Sequence, residues 1–211
     1  MLVLVLCALA VVSPLILWRW PAGLLLRRWR WPLLIWAALA LQLVALEVPM
    51  PHTLASVLHI LTYAVAVTFL WFNRSAPGVW WVGSGAALNG IVIALNGGTL
   101  PASRSASEAA GIDTDGAFAN SAVLDSPVLP WLGDVFAWPA PLPLANTFSV
   151  GDVLIVLGAW IAAWSGTRRL GKATSPTAAV GETTPMPGQL TPGETTQGET
   201  TQSKPTPAQP D

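Results

Sequence analysis

Charge is the scarcest property of this sequence. Only 10% of its 211 residues are Asp, Glu, Lys or Arg, against 53% hydrophobic, whereas soluble domains carry about a quarter charged. An ordinary soluble composition is thereby excluded. Cysteine is nearly absent: Cys7 alone permits no disulfide within the chain and no cysteine metal cluster, and reads as a plain buried thiol. Basic residues are few and flank hydrophobic runs, so nothing supports nucleic-acid binding. The first apolar run lacks a basic leading region and a small-residue cleavage site, so a membrane span is expected there and not a signal peptide.

The apolar residues fall into five runs near 2–18, 32–48, 54–72, 79–96 and 150–166. Each sits at the short end of the spanning range of about 17 to 25 residues. The expected fold is therefore an all-α membrane protein: a bundle of about five transmembrane helices over 1–172, with a long outer loop over 97–148. Residues 173–211 change abruptly to Thr, Pro, Gly, Gln and Glu, with Gly-Glu-Thr-Thr at Gly181, Gly193 and Gly198. Such a segment buries too little apolar surface to offset ordering entropy, so a disordered tail is expected. Its Glu194-Thr195-Thr196 and Glu199-Thr200-Thr201 are similar to acidic phosphothreonine motifs read by forkhead-associated domains. A solubilising tail is the plainer reading.

The net charge of −1 hides an asymmetry. Arg19, Arg27, Arg28 and Arg30 follow the first run, Arg74 the third, and Arg168, Arg169 and Lys172 the fifth, while only Arg104 lies opposite. Basic loops face the cytoplasm, which puts the N-terminus outside and the C-terminus inside a cell membrane. Trp18, Trp20, Trp29 and Trp31 interleave with the first basic group and suit the headgroup layer, where an interfacial anchor is preferred to a specific anionic-lipid site. Pro49-Met50-Pro51 and Asn73 to Gly78 allow only tight turns. Asn73-Arg74-Ser75 fits a glycosylation sequon on the cytoplasmic side, a chance match.

In the outer loop, Ser103 to Ser126 is small, polar and acidic, and flexibility is expected; Asp113-Thr114-Asp115-Gly116 within it reads as a turn and not a calcium loop. Trp131, Leu132, Val135, Phe136 and Trp138 fall at helical spacing, which predicts an amphipathic helix on the outer leaflet or over the bundle. Pro139 to Pro143 then predicts an extended return.

Polar residues inside a bilayer have no water to bond and must face other helices or a cavity. In the fourth run Ala86, Gly90 and Ala94 form a small-residue stripe that admits a close neighbour. Asn89 and Asn96 form a second stripe, and Leu88, Ile91, Leu95, Trp80 and Trp81 a lipid face. Asn89, Asn96, His59, Tyr63 and Gln42 make up the candidate polar cluster, with Gln42 the expected partner of the Asn stripe. His52 and His59 lie seven apart on one helix without a third ligand, so no metal and no cofactor is expected. Two loop motifs read as helix caps. Asn96-Gly97-Gly98 before Pro101 is a helix stop with Gly97 left-handed. Phe148-Ser149-Val150-Gly151-Asp152-Val153 is a helix start, with Ser149 as N-cap, Asp152 at the third helical position and a hydrophobic staple.

Asn89, Asn96-Gly97-Gly98 with Pro101, Leu132-Gly133-Asp134 and Phe148-Ser149-Val150-Gly151-Asp152-Val153-Leu154 together resemble the small bacterial multi-pass proteins labelled domain of unknown function 5317. The resemblance covers 2–171. Thr99-Leu100 departs from it where a Met beside the Pro is expected. It implies a membrane protein of an actinobacterium or related group with no established activity. Eight Arg against two Lys is compatible with a GC-rich genome.

The function expected is that of a non-enzymatic envelope protein in the lipid bilayer, packing with a membrane-protein partner or with itself. The alternative is a small transporter or permease subunit using the polar cluster. A membrane enzyme using Asp134 and Asp152 as acid and base ranks last, because capping already accounts for Asp152.

Overall fold

In a computed structural model of the protein, residues 1–112 and 121–170 are described, and all belong to one unit, Met1–Lys172. The Asp113–Gly116 turn, the tail repeats and the tail threonines lie outside the described residues. The unit is mostly helical.

Helix α1 (Leu2–Val12) tightens into a 3-10 segment over Ser13–Leu17. Pro14 lies at its start, and without an N–H it cannot continue an α-helical ladder. A short strand β1 (Arg19–Trp20) and one turn of helix α2 (Ala22–Leu25) lead to helix α3 (Leu33–Glu47), which begins directly after Pro32. Helix α4 (His52–Phe72) begins after Pro51 and α5 (Val79–Leu95) after Gly78. Strand β2 (Leu100–Pro101), helix α6 (Arg104–Ala110) and strand β3 (Ser121–Ala122) follow. A 3-10 turn over Pro130–Leu132, strands β4 (Phe136–Trp138) and β5 (Asn146–Phe148), helix α7 (Val150–Trp164) and strand β6 (Arg168–Arg169) complete the order. One helix, His52–Phe72, is long and apolar enough to cross a membrane; Leu2–Leu17, Leu33–Ala45, Val79–Leu95 and Val150–Trp164 are shorter apolar helices.

Helices α3 and α4 pack as a hairpin, α4 packs on α5, and α7 lies between α5 and α1. The α5–α7 interface is built on glycine. A Cβ on Gly85 would collide with the Gly151 carbonyl, and one on Gly78 with the Gly158 carbonyl. Residues seven apart on each helix thus bring two backbones nearly into contact, as small residues allow. The expected stripe agrees in part, since Ala86 is buried. Ala94 is exposed and Gly90 receives the Tyr63 ring from α4, while the face toward α7 runs through Gly78, Gly85 and Asn89. The large-residue arc agrees in part: Trp80, Trp81, Ile91 and Leu95 are exposed.

Residues 130–138 are not a helix. After Leu132 the chain extends, because Gly133 packs against the Pro101 carbonyl, where a Cβ has no room, and Asp134 bridges to Ala102. Strand β4 then pairs antiparallel with β5, stacking Phe136 on Phe148 at 5.3 Å. The proline run between them folds into turns and not an extended return, held by the Trp138 indole donating to the Pro143 carbonyl at 3.0 Å. Part of the segment expected to be flexible forms α6, whose Ala106, Ser107 and Ala110 are buried.

Candidate functional site

The described charges separate to the two ends of the unit. Strand β1 pairs antiparallel with β6, Arg19 opposite Arg169, while Asn73 holds the Arg30 backbone and Ser75 the Arg27 side chain. Arg19, Arg27, Arg28, Arg30, Arg74, Arg168 and Arg169 therefore share one end. Glu47, Glu108, Asp125, Asp134, Asp152 and Arg104 lie toward the other.

The acidic end carries a closed polar network at the start of α7. The Ser149 hydroxyl accepts from the Asp152 backbone N–H at 3.0 Å, and the Asp152 carboxylate accepts from the Ser149 N–H at 2.9 Å, a capping box. An acidic group there also faces the positive end of the helix dipole. Asn89 of α5 completes the ring. Its Nδ2 donates to Asp152 Oδ1 at 3.0 Å and its Oδ1 accepts from Ser149 Oγ at 3.0 Å. Asn89 and Ser149 are buried, and Gly151 leaves room for the carboxamide. Asn89 therefore reads the cap of a helix that enters the chain some 60 residues later.

Asp134 lies beside this ring. It is buried, its Oδ2 accepts from Thr147 at 3.3 Å, and its Oδ1 has no hydrogen-bond partner among the described residues. Burial pushes its pKa up to about 6, aided by the nearby Asp152 charge and opposed by the Ser121 and Thr147 hydroxyls. Its backbone is fastened as well, donating to the Pro101 carbonyl and accepting from the Ser103 N–H, each at 2.9 Å.

The other candidates serve similar ends. His59 is fully buried, and its Nδ1 donates to the Gly98 carbonyl at 2.7 Å, which fixes the proton on that nitrogen. Ser56 sits so close to Gly98 that a Cβ there would clash. Tyr63 meets the His59 ring edge-on at 5.5 Å and packs beside the buried Val92, Ile93 and Leu100. Gly97 takes the left-handed conformation after Asn96, with the Gly98 N–H returning to the Ile93 carbonyl at 2.8 Å, a Schellman-type stop. Asn96 donates to Val92 and Val128 carbonyls at 2.7 and 2.9 Å and accepts from the Val128 N–H at 2.8 Å. The Asn89 carboxamide is bonded to α7, and Gln42 lies on α3. Gln42 lines a groove of about 560 Å³ with Thr62, Tyr63 and Ala86.

Sequence reasoning missed Asn73. At the end of α4 it repeats the Asn96 arrangement, donating to the carbonyl four residues back and pairing with both backbone groups of Arg30. The only signal was a buried-end Asn after an apolar run, which the sequon match obscured. Among the described residues no group of three His, Cys, Asp or Glu side chains could hold a metal ion.

These features define a mostly helical protein whose buried polar side chains fasten loops to helix ends. Residues 27–164 match the family of unknown function DUF5317, and the chain belongs to that family. An uncharacterized protein of Thermotoga maritima is 31% identical over 103 residues, which is 48% of this chain and 59% of that relative. The chain thus spans less than two thirds of the relative's length. No solved structure matches.

Proposed function

We propose that this chain is a multi-pass integral membrane protein of the cell envelope, neither enzyme nor permease, which packs with a membrane partner. The observation that carries the reading is its exposed apolar girdle. Leu4, Leu33, Trp36 and Trp80 are each at least 60% exposed on their helices, and aqueous proteins rarely expose contiguous apolar patches beyond a few hundred Å². Charges stay at the two ends, where Trp18, Trp31 and Trp131 are also exposed, as interfacial aromatic belts require. The 15-residue helices α3 and α7 rise about 22 Å, less than a hydrocarbon core of about 30 Å. Local thinning and flanking indoles would close that gap.

The basic end faces the cytoplasm in this reading, with the N-terminus outside. Asn89, Asn96 and His59 are engaged by helix caps and loop backbone, which leaves them little capacity to bind a solute. The open groove lined by Gln42, Thr62 and Tyr63, with Ile35, Leu39, Ala66 and Ala86 beside them, is where a partner helix is placed in this reading, since its small residues let another backbone approach. The permease alternative draws on the same groove.

Alkaline carbonate extraction of membranes tests the first claim, and release of the chain would refute it. Single cysteines at Gln42 and Thr62, probed with a water-soluble maleimide in a Cys7→Ala background, separate the readings. Protection at both supports a covered groove, while labelling at both refutes it in favour of an aqueous path.

A further inference from the structure

We propose that the basic end holds an anionic phospholipid, its phosphate at Arg74, supported by the charge of Arg27 on the adjoining Ser75, and one acyl chain in the groove between α4 and α5. This rests on the membrane reading above. The Arg74 guanidinium lies 4.7 Å from the Trp71 ring centroid and donates to the Trp71 carbonyl at 3.2 Å. Arg27 stands over Trp29 at 5.9 Å and donates to the neighbouring Ser75 hydroxyl at 3.0 Å. A guanidinium has five N–H donors, and among the described residues no carboxylate approaches either arginine. Asn73 ties the turn that carries Arg74 to the Arg30 backbone of the loop that carries Arg27, so each cation is presented on an ordered support.

The groove begins at Arg74. It holds about 270 Å³, with Trp71 and Trp80 at its mouth, their rings edge-to-face at 6.2 Å, and Gly83, Ser84 and Ala87 along its floor. Gly83 contrasts with Gly85 two residues later. A Cβ on Gly85 would strike α7, whereas one on Gly83 would meet nothing nearer than Leu70 at 3.9 Å. Small residues at Gly85 admit a helix of this chain; at Gly83 they leave a trough that no described residue fills. A phosphate-bearing head fits a forked guanidinium bidentately, and a hydrocarbon chain fits the trough, so both halves of one amphiphile are accommodated. A free phosphate would use the arginines only.

Native mass spectrometry of the full chain in detergent, titrated with phosphatidylglycerol or phosphatidylcholine of equal chain length, tests this. Wild type is expected to retain phosphatidylglycerol about tenfold better than phosphatidylcholine, and Arg27→Gln with Arg74→Gln to abolish that preference. Gly83→Leu is expected to weaken phosphatidylglycerol retention with helicity unchanged. Equal retention of the two lipids, or a preference that survives the arginine double variant, overturns the proposal. Glycerol phosphate displacing phosphatidylglycerol at equal concentration also overturns it, since the trough then contributes nothing. The double variant alters the exposed Arg74 and the half-buried Arg27 and touches no helix contact at Gly83, so its result stands even if Gly83→Leu misfolds. A chain recovered from cells without detergent would instead sink the membrane reading, an outcome distinct from an integral protein with no lipid preference.

Discussion

Replacing Asn89 with alanine removes a side chain that joins α5 to the cap of α7. Two hydrogen bonds disappear, one to the Asp152 carboxylate at 3.0 Å and one from the Ser149 hydroxyl at 3.0 Å. A hydrogen bond to a charged group contributes about 1.5–3 kcal/mol and a neutral one about 1 kcal/mol, and the abandoned groups here stay buried. The expected loss is therefore about 2.5–4 kcal/mol. For a chain of this size that corresponds to a fall in Tm of roughly 5–16 °C, read by thermal unfolding of the purified chain in detergent. Asn89→Asp is the sharper companion because it preserves shape. It sets a second carboxyl against Asp152, and two carboxyls in contact cannot both ionise without strong repulsion. A shared proton can replace the lost N–H in acid, so the variant should approach wild-type stability near pH 4 and lose it toward pH 8. A Tm change below about 2 °C for the alanine variant, with no pH dependence in the aspartate variant, would refute the reasoning.

Two further outcomes follow from the same geometry. Gly85→Ala should be far more disruptive than Gly97→Ala in thermal unfolding: the first drives a methyl into the Gly151 backbone, while the second meets nothing within 4 Å and costs only left-handed strain, about 1 kcal/mol. Asp134 predicts a pH profile: its folded pKa of about 6 exceeds the ordinary 3.8, so its contribution is fully present below pH 4, falls as pH rises through 6, and is flat above; Asp134→Asn should flatten that slope, and an unchanged slope would contradict it.

Helical content was legible because long apolar runs are bounded by Pro32, Pro51 and Gly78, which stop or start helices locally. The capping box is legible for the same reason, since Ser149 and Asp152 are three apart and motif and geometry coincide. Long-range pairings were not. Asn89 meets Ser149 across 60 positions, Asn73 meets Arg30 across 43, and Asn96 meets Val128 across 32. Residue type marks each Asn as needing a partner but says nothing of which loop supplies it. The Ala86 stripe was legible at Ala86 and Gly90 but not at Ala94, because size alone cannot tell which side a neighbour occupies. The 131–138 periodicity failed because five apolar positions fit a helix as well as a strand paired elsewhere, and the backbone closeness of Gly133 to Pro101 decided between them.

The two ends of the unit differ in how their charges are handled, and this difference has direction. At the acidic end Asp152 is bonded into a cap, Asp134 is buried under a hairpin, and Asn89, Asn96 and His59 are engaged from three separate segments. Every one of these contacts fastens a loop or a helix end. At the basic end Asn73 orders the turn, yet Arg27 and Arg74 keep guanidinium donors directed away from any described carboxylate. Ordered support with unsatisfied cations favours an anionic visitor, because the entropy of fixing the turn has already been met by Asn73. The family match over residues 27–164 contains Arg27, the turn and Arg74, so the relatives of this chain are the place to ask whether a cation recurs at Arg74 beside a small residue at Gly83. A bulky residue at the second position wherever the first is retained would argue that the trough and the charge serve different ends.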